Sequence, residues 1–155
     1  MTRIATAIKQ KKPFSGPEHA VFLALQRLAS ELSQGVAELL KPSGLSAAQY
    51  NVLRILRGAG DAGLACGEIA GRLIARDPDM TRLLDRLERQ GLVARGRSAE
   101  DRRVVMARIT DQGLAVLADL DAPFAALHRR QLGHLGEEKL AALLQLLEEA
   151  TPPSP

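Results

Sequence analysis

Residues 81–110 constrain the fold of this chain more than any other stretch. They begin Thr-Arg-Leu-Leu-Asp-Arg-Leu-Glu-Arg-Gln-Gly-Leu-Val, pass through Asp101, Arg102 and Arg103, and end in an alternating run that closes at Ile109 and Thr110. Met80, Leu83, Leu84 and Leu87 fall on one side of a helix, while Asp79, Arg82, Arg86 and Arg89 fall on another by the same three- and four-residue spacing. Gly91 stops that helix as a C-cap. Segments 92–97 and 102–109 are partly β-branched and separated by a short polar stretch, so they pair as a hairpin with a basic tip. A helix with an arginine edge followed by a basic hairpin offers two adjacent projections to a nucleic-acid groove.

The flanking sequence builds a support for that unit. Residues 1–17 mix Lys, Gln, Ser and Gly with two prolines and show no apolar period, which reads as a flexible arm. From 18 to about 41, Val21, Leu25, Leu28, Leu32, Val36 and Leu39 recur at helical steps until Pro42 and Gly44 stop them. Ser46 with Gln49 is a capping-box pattern that opens a second helix through Val52, Leu53 and Leu56. Residues 67–74 read as a short helix, and Asp77 with Pro78 reads as the N-cap and first position of the next, giving a helix-turn-helix. Thr110 or Asp111 caps a long helix that reaches about residue 135 and bends at Pro123. Leu140, Leu143, Leu144 and Leu147 mark a last helix, with a loose tail over 151–155. The expected fold is mostly α with a small β-hairpin wing: a winged helix over about 46–109, carried by helices at about 18–41 and 111–150.

Composition agrees with this assignment. At 155 residues the chain has the size of one domain, and with 3% aromatics and no Trp its core must rest on aliphatic helix packing. Ten arginines stand against six acidic residues between 72 and 108, a local excess larger than the whole chain's +3. Every base in that stretch is Arg, whose planar fork suits phosphate and guanine edges. The single cysteine, Cys66, forms no internal disulfide, and the sequence carries neither a signal peptide nor a membrane-length apolar run, so the reading is a cytoplasmic protein without membrane attachment. His19, His128 and His134 lack metal-ligand spacing, and no nucleophile with a base, phosphate-cradling loop or carboxylate pair is evident; neither metal, cofactor nor enzymatic activity is expected.

In this order and spacing, Thr-Arg-Leu-Leu-Asp-Arg-Leu-Glu-x-x-Gly-Leu-Val, Asp-x-Arg and x-Thr-x-x-Gly resemble the MarR family of bacterial transcriptional regulators over roughly 18–150. The resemblance implies a homodimer joined through its first and last helices, and a pseudo-palindromic operator in double-stranded DNA. It also implies repression more often than activation, and release by a small molecule or stress signal. On that analogy Asp79, Thr81, Arg82 and Arg86 face the major groove, Asp101 orients neighbouring basic groups, and Arg103 enters the minor groove from a wing that also carries Arg95, Arg97 and Arg102. Pro78 and Asp79 stand where the family often has small hydroxyl residues, and Ile74 where it often has glycine. An effector crevice is implied, for which Tyr50 and Arg54, four apart on the second helix, are candidates; packing explains them equally well. Cys66 is a candidate redox site against the plainer reading of an inert small residue. Arg82 and Arg86 have the alternative of pairing with Asp79, Asp85 or Glu88 on their own helix. The rival functions are a winged-helix protein-interaction module without DNA binding and, less well supported, a small helical enzyme.

Overall fold

The computed structural model describes residues 2–152. The chain divides into two compact units, residues 1–38 and 39–155. It is mostly helical with one small antiparallel sheet.

In the first unit, the segment read as a flexible arm contains a helix, α1 (Arg3–Ala7). Thr2 caps it, its hydroxyl accepting the Ala5 N–H, and Lys9 follows it at φ 54°. A single capped turn has no apolar period, which is why the sequence pattern missed it. α2 (Pro17–Leu40) starts at Pro17, where the missing N–H costs nothing, and extends into the second unit. Val21, Phe22, Leu25 and Leu28 on α2 are all exposed.

The second unit holds the remaining elements. Lys41–Ser43 form a 3-10 turn, after which α3 (Ala47–Ala59) opens with the expected capping box. The Ser46 hydroxyl accepts the Gln49 N–H at 3.1 Å, and the Gln49 side-chain oxygen accepts the Ser46 N–H at 2.9 Å. Val52, Leu53 and Leu56 bury α3's inner face completely. β1 (Leu64–Ala65) runs directly into α4 (Cys66–Arg72).

α5 (Met80–Arg89) begins later than the Asp77-Pro78 pattern indicates. The Asp77 carboxylate accepts the Asp79 N–H at 2.8 Å, an Asx turn across Pro78, and Asp79 is the N-cap that accepts the Arg82 N–H at 3.0 Å. Gly91 closes α5 at φ 72°, a left-handed conformation suited to glycine, and the Leu92 N–H reaches back to the Leu87 carbonyl at 3.0 Å.

β2 (Val93–Arg97) and β3 (Val105–Ile109) form the expected hairpin, with Val93 opposite Ile109 and Arg97 opposite Val105. β1 adds a third strand to the other edge of β3, Leu64 opposite Ala107. α6 (Asp111–Leu132) is capped by Thr110, whose hydroxyl accepts the Gly113 N–H at 3.1 Å, and it continues through Pro123. A 3-10 turn, Gly133–Leu135, precedes α7 (Gly136–Ala150).

Leu40, Val52, Leu53, Leu56, Ile69, Leu84, Leu87, Val93 and Leu117 are the largest fully buried side chains, an aliphatic core shared by helices and hairpin. Arg57 on α3 bonds both carboxylate oxygens of Asp121 on α6, the closer at 2.9 Å. Of the tail read over 151–155, positions 153–155 lie outside the described residues; Thr151 caps the end of α7. No helix among the described residues is long and apolar enough to cross a membrane.

Candidate nucleic-acid interface

α5 anchors itself through Leu83, Leu84 and Leu87, all buried, and so presents Thr81, Arg82, Arg86 and Arg89 to solvent. Sequence spacing leaves open whether those arginines are neutralised by acids of their own helix. The structure separates the two sets of charges: Asp85 and Glu88 both bond Arg95 of β2. Among the described residues none of Arg82, Arg86 and Arg89 is held in an ion pair. Arg89, absent from the expected contacts, lines with Arg86, Gly44, Gln49 and Gln90 a surface cavity of about 280 Å³. Its three-residue spacing from Arg86 was the signal available for it. Asp79 is engaged as the helix cap, which fixes the first turn of α5 rather than leaving a free carboxylate there.

The wing places its basic residues unequally. Arg102 and Arg103 at the tip are exposed, and Arg97 donates from its guanidinium to the Arg102 carbonyl at 3.0 Å. Asp101 accepts the Arg103 backbone N–H at 2.9 Å, and the Asp101 carbonyl accepts the Val104 N–H at 3.0 Å. These bonds close the tip and fix the backbone from which Arg103 projects. Arg95, read with the other wing arginines as DNA-binding, is instead held by the acids of α5. Its side chain is only 23% exposed, and its Nε and Nη2 lie 2.8 and 2.6 Å from one Glu88 oxygen. That bond, with the Asp85 bond, pushes the guanidinium's pKa further up.

A family model described as MarR family matches residues 45–105. Over 118 residues the chain is 33% identical to the HTH-type transcriptional repressor MdtR of Bacillus subtilis, covering 76% of this chain and 75% of that protein. The chain belongs to the MarR family. The crystal structure of a MarR transcription factor from Planctomyces limnophilus is 43% identical, covers 88% of this chain and 98% of that one, and has a TM-score of 0.68. CouR from Rhodococcus jostii, solved bound to p-coumaroyl-CoA, is 25% identical with a TM-score of 0.75, over 91% of this chain and 98% of that one.

Of the two residues read as effector ligands, Tyr50 is packed into the unit and Arg54 is exposed beside it. The Tyr50 ring is buried and stacks on Phe124 of α6 with centroids 4.2 Å apart and planes 7° apart, and His128 tilts against Phe124 at 5.8 Å. Arg54 lies over the Tyr50 ring at 5.9 Å. Burial pushes the Tyr50 pKa up, opposed by the nearby Arg54 charge. A cavity of about 310 Å³ opens elsewhere in the unit, lined by Ser43, Gln90, Leu92, Gln112, Val116, Asp119 and Leu120. Cys66 is half-buried at the start of α4. Burial pushes its thiol pKa up, with Arg95 opposing, which is the reverse of the depressed value that makes a thiol reactive. Among the described residues no group of three or more His, Cys, Asp or Glu side chains is placed to hold a metal ion.

Proposed function

We propose that this MarR-family chain is a sequence-selective DNA-binding transcriptional repressor of the cytoplasm, and not an enzyme. It acts as a homodimer on a pseudo-palindromic operator. The observation that carries the reading is the segregation of charge on α5, where the acids bond Arg95 while Arg82, Arg86 and Arg89 have no ion-pair partner among the described residues and stand beside an arginine-tipped wing. In this reading α5 enters the major groove, with Thr81, Arg82 and Arg86 toward the bases or their flanking phosphates and Asp79 capping the helix. Arg102 and Arg103 reach the adjacent minor groove, and Arg97 supports them at the phosphates. A dimer of such lobes sets its recognition helices about one DNA turn, roughly 34 Å, apart.

CouR's p-coumaroyl-CoA complex supports a small-molecule effector for this chain as well. Release requires that the effector bind more tightly to a dimer whose lobes are badly spaced for DNA.

The test is fluorescence anisotropy of the purified protein on the DNA upstream of its own gene, with a scrambled duplex as control and a salt titration. Selective binding is expected, with log K falling against log salt by about 0.9 for each phosphate neutralised. Arg103→Ala should weaken binding and leave the fold intact. A nearly flat titration, or equal affinity for the scrambled duplex, favours the protein-interaction module instead.

A further inference from the structure

We infer that Arg95 governs DNA binding without touching DNA, as a positioning residue that straps the wing to the recognition helix and neutralises that helix's acids. The inference rests on the DNA-binding reading above.

Its geometry is that of a bridge. Arg95 lies in the middle of β2, opposite Ala107 of β3, so its backbone is fixed by the sheet. Asp85 and Glu88 are three residues apart and therefore share a side of α5. The guanidinium takes both: Nε and Nη2 bond Glu88, and Nη2 also bonds Asp85. A planar fork can span two carboxylates in this way where a lysine ammonium, a point charge, holds its partners less directionally.

Two effects follow. β2 is fastened to α5 at the root of the wing, so the tip and the arginine edge keep one spacing. In addition, Asp85 stands three residues from Arg82 and four from Arg89, within reach of either on a helix surface. Held by Arg95, it is kept from competing with phosphate for those two side chains.

The contact reading and the positioning reading give opposite signs for one substitution. If Arg95 bound phosphate, Glu88→Gln would remove a negative charge from the interface and free the guanidinium, and affinity would rise. If Arg95 is a strap, Glu88→Gln loosens it, and affinity falls although the protein has become more positive.

The experiment measures operator affinity across a salt series for the wild-type dimer, Glu88→Gln and Arg95→Met, at a temperature where melting curves show all of them folded. The expected result is a loss of roughly fivefold for Glu88→Gln, the affinity equivalent of a partly exposed ion pair. Arg95→Met should also bind more weakly. If Arg95→Met does not fold, Glu88→Gln decides alone. Unchanged or tighter binding by Glu88→Gln overturns the inference, the unchanged case marking a salt bridge that serves stability only. Binding by Arg95→Met as tight as the wild type's overturns it too. A wild type that binds no DNA selectively refutes the function itself and is read from the first arm of the experiment.

Discussion

Tyr50 has a titration that the fold feels. Its ring is stacked on Phe124 and buried, and burial pushes its pKa up despite Arg54 nearby. The folded chain therefore holds the phenol proton more tightly than the unfolded chain, where a tyrosine titrates at about 10. Its contribution to stability is complete below that value and is lost as pH rises through the higher folded value. Tyr50→Phe keeps the stack and removes the proton, so its stability should fall less steeply than the wild type's between pH 9 and 11; denaturant midpoints measure this, and identical slopes would refute it. The sequence placed Tyr50 and Arg54 on one helix face but carried no sign that Phe124, 74 positions later, fills the space beside them. Arg95 was opaque for the same reason. Its partners lie seven and ten residues back along the chain across a turn, and periodicity within α5 cannot show a bond to a neighbouring strand.

Elements with local chemistry at their ends were the most legible. Ser46 with Gln49 caps α3 as its spacing indicates, and of Thr110 and Asp111 it is Thr110 that caps α6. The start of α5 was displaced because Asp77 and Asp79 are both competent caps, and the Asx turn across Pro78 settles the choice in favour of Asp79. β1 left no trace because two residues make no alternation; it exists only through its pairing with β3. Gly113, the glycine of the x-Thr-x-x-Gly pattern, has a physical requirement behind it. A Cβ there would sit 2.5 Å from the Leu92 carbonyl oxygen and 2.7 Å from Ile109 Cγ1, where α6 leaves the hairpin. The carbonyl is backbone and cannot turn aside. Gly113→Ala should therefore destabilise by about 1–3 kcal/mol, the usual cost of overpacking, seen as a lower melting temperature. A variant as stable as the wild type would mean that the first turn of α6 shifts freely.

At the scale of the whole molecule, the helices outside the winged helix display apolar surface that their own units leave uncovered. Val21, Phe22, Leu25 and Leu28 on α2 and Leu144, Leu146 and Leu147 on α7 are exposed leucine, valine and phenylalanine side chains in a chain with few aromatics. Clusters of this kind mark association surfaces, and the proposed homodimer supplies the partner. Val21→Glu with Leu25→Glu should shift the protein from twice its 16.7 kDa chain mass toward one chain in sedimentation, and weaken operator binding in parallel; an unchanged dimer mass would remove α2 from the interface. The sequence showed Val21, Leu25, Leu28, Leu144 and Leu147 as helix periodicity and gave no sign of Phe22 and Leu146, and periodicity alone does not separate a stripe that faces the chain's own core from one that is exposed. The winged helix itself is tied at more places than its hairpin requires. No residue separates β1 from α4, β1 pairs with β3, β3 with β2, and Arg95 closes the circuit from β2 to α5. If the unit binds DNA as proposed, these ties hold α5 and the wing near one spacing, like a calliper. Duplexes whose twist or groove width departs from that gauge must deform to fit, so the protein would discriminate among operators by their stiffness at base pairs it never touches.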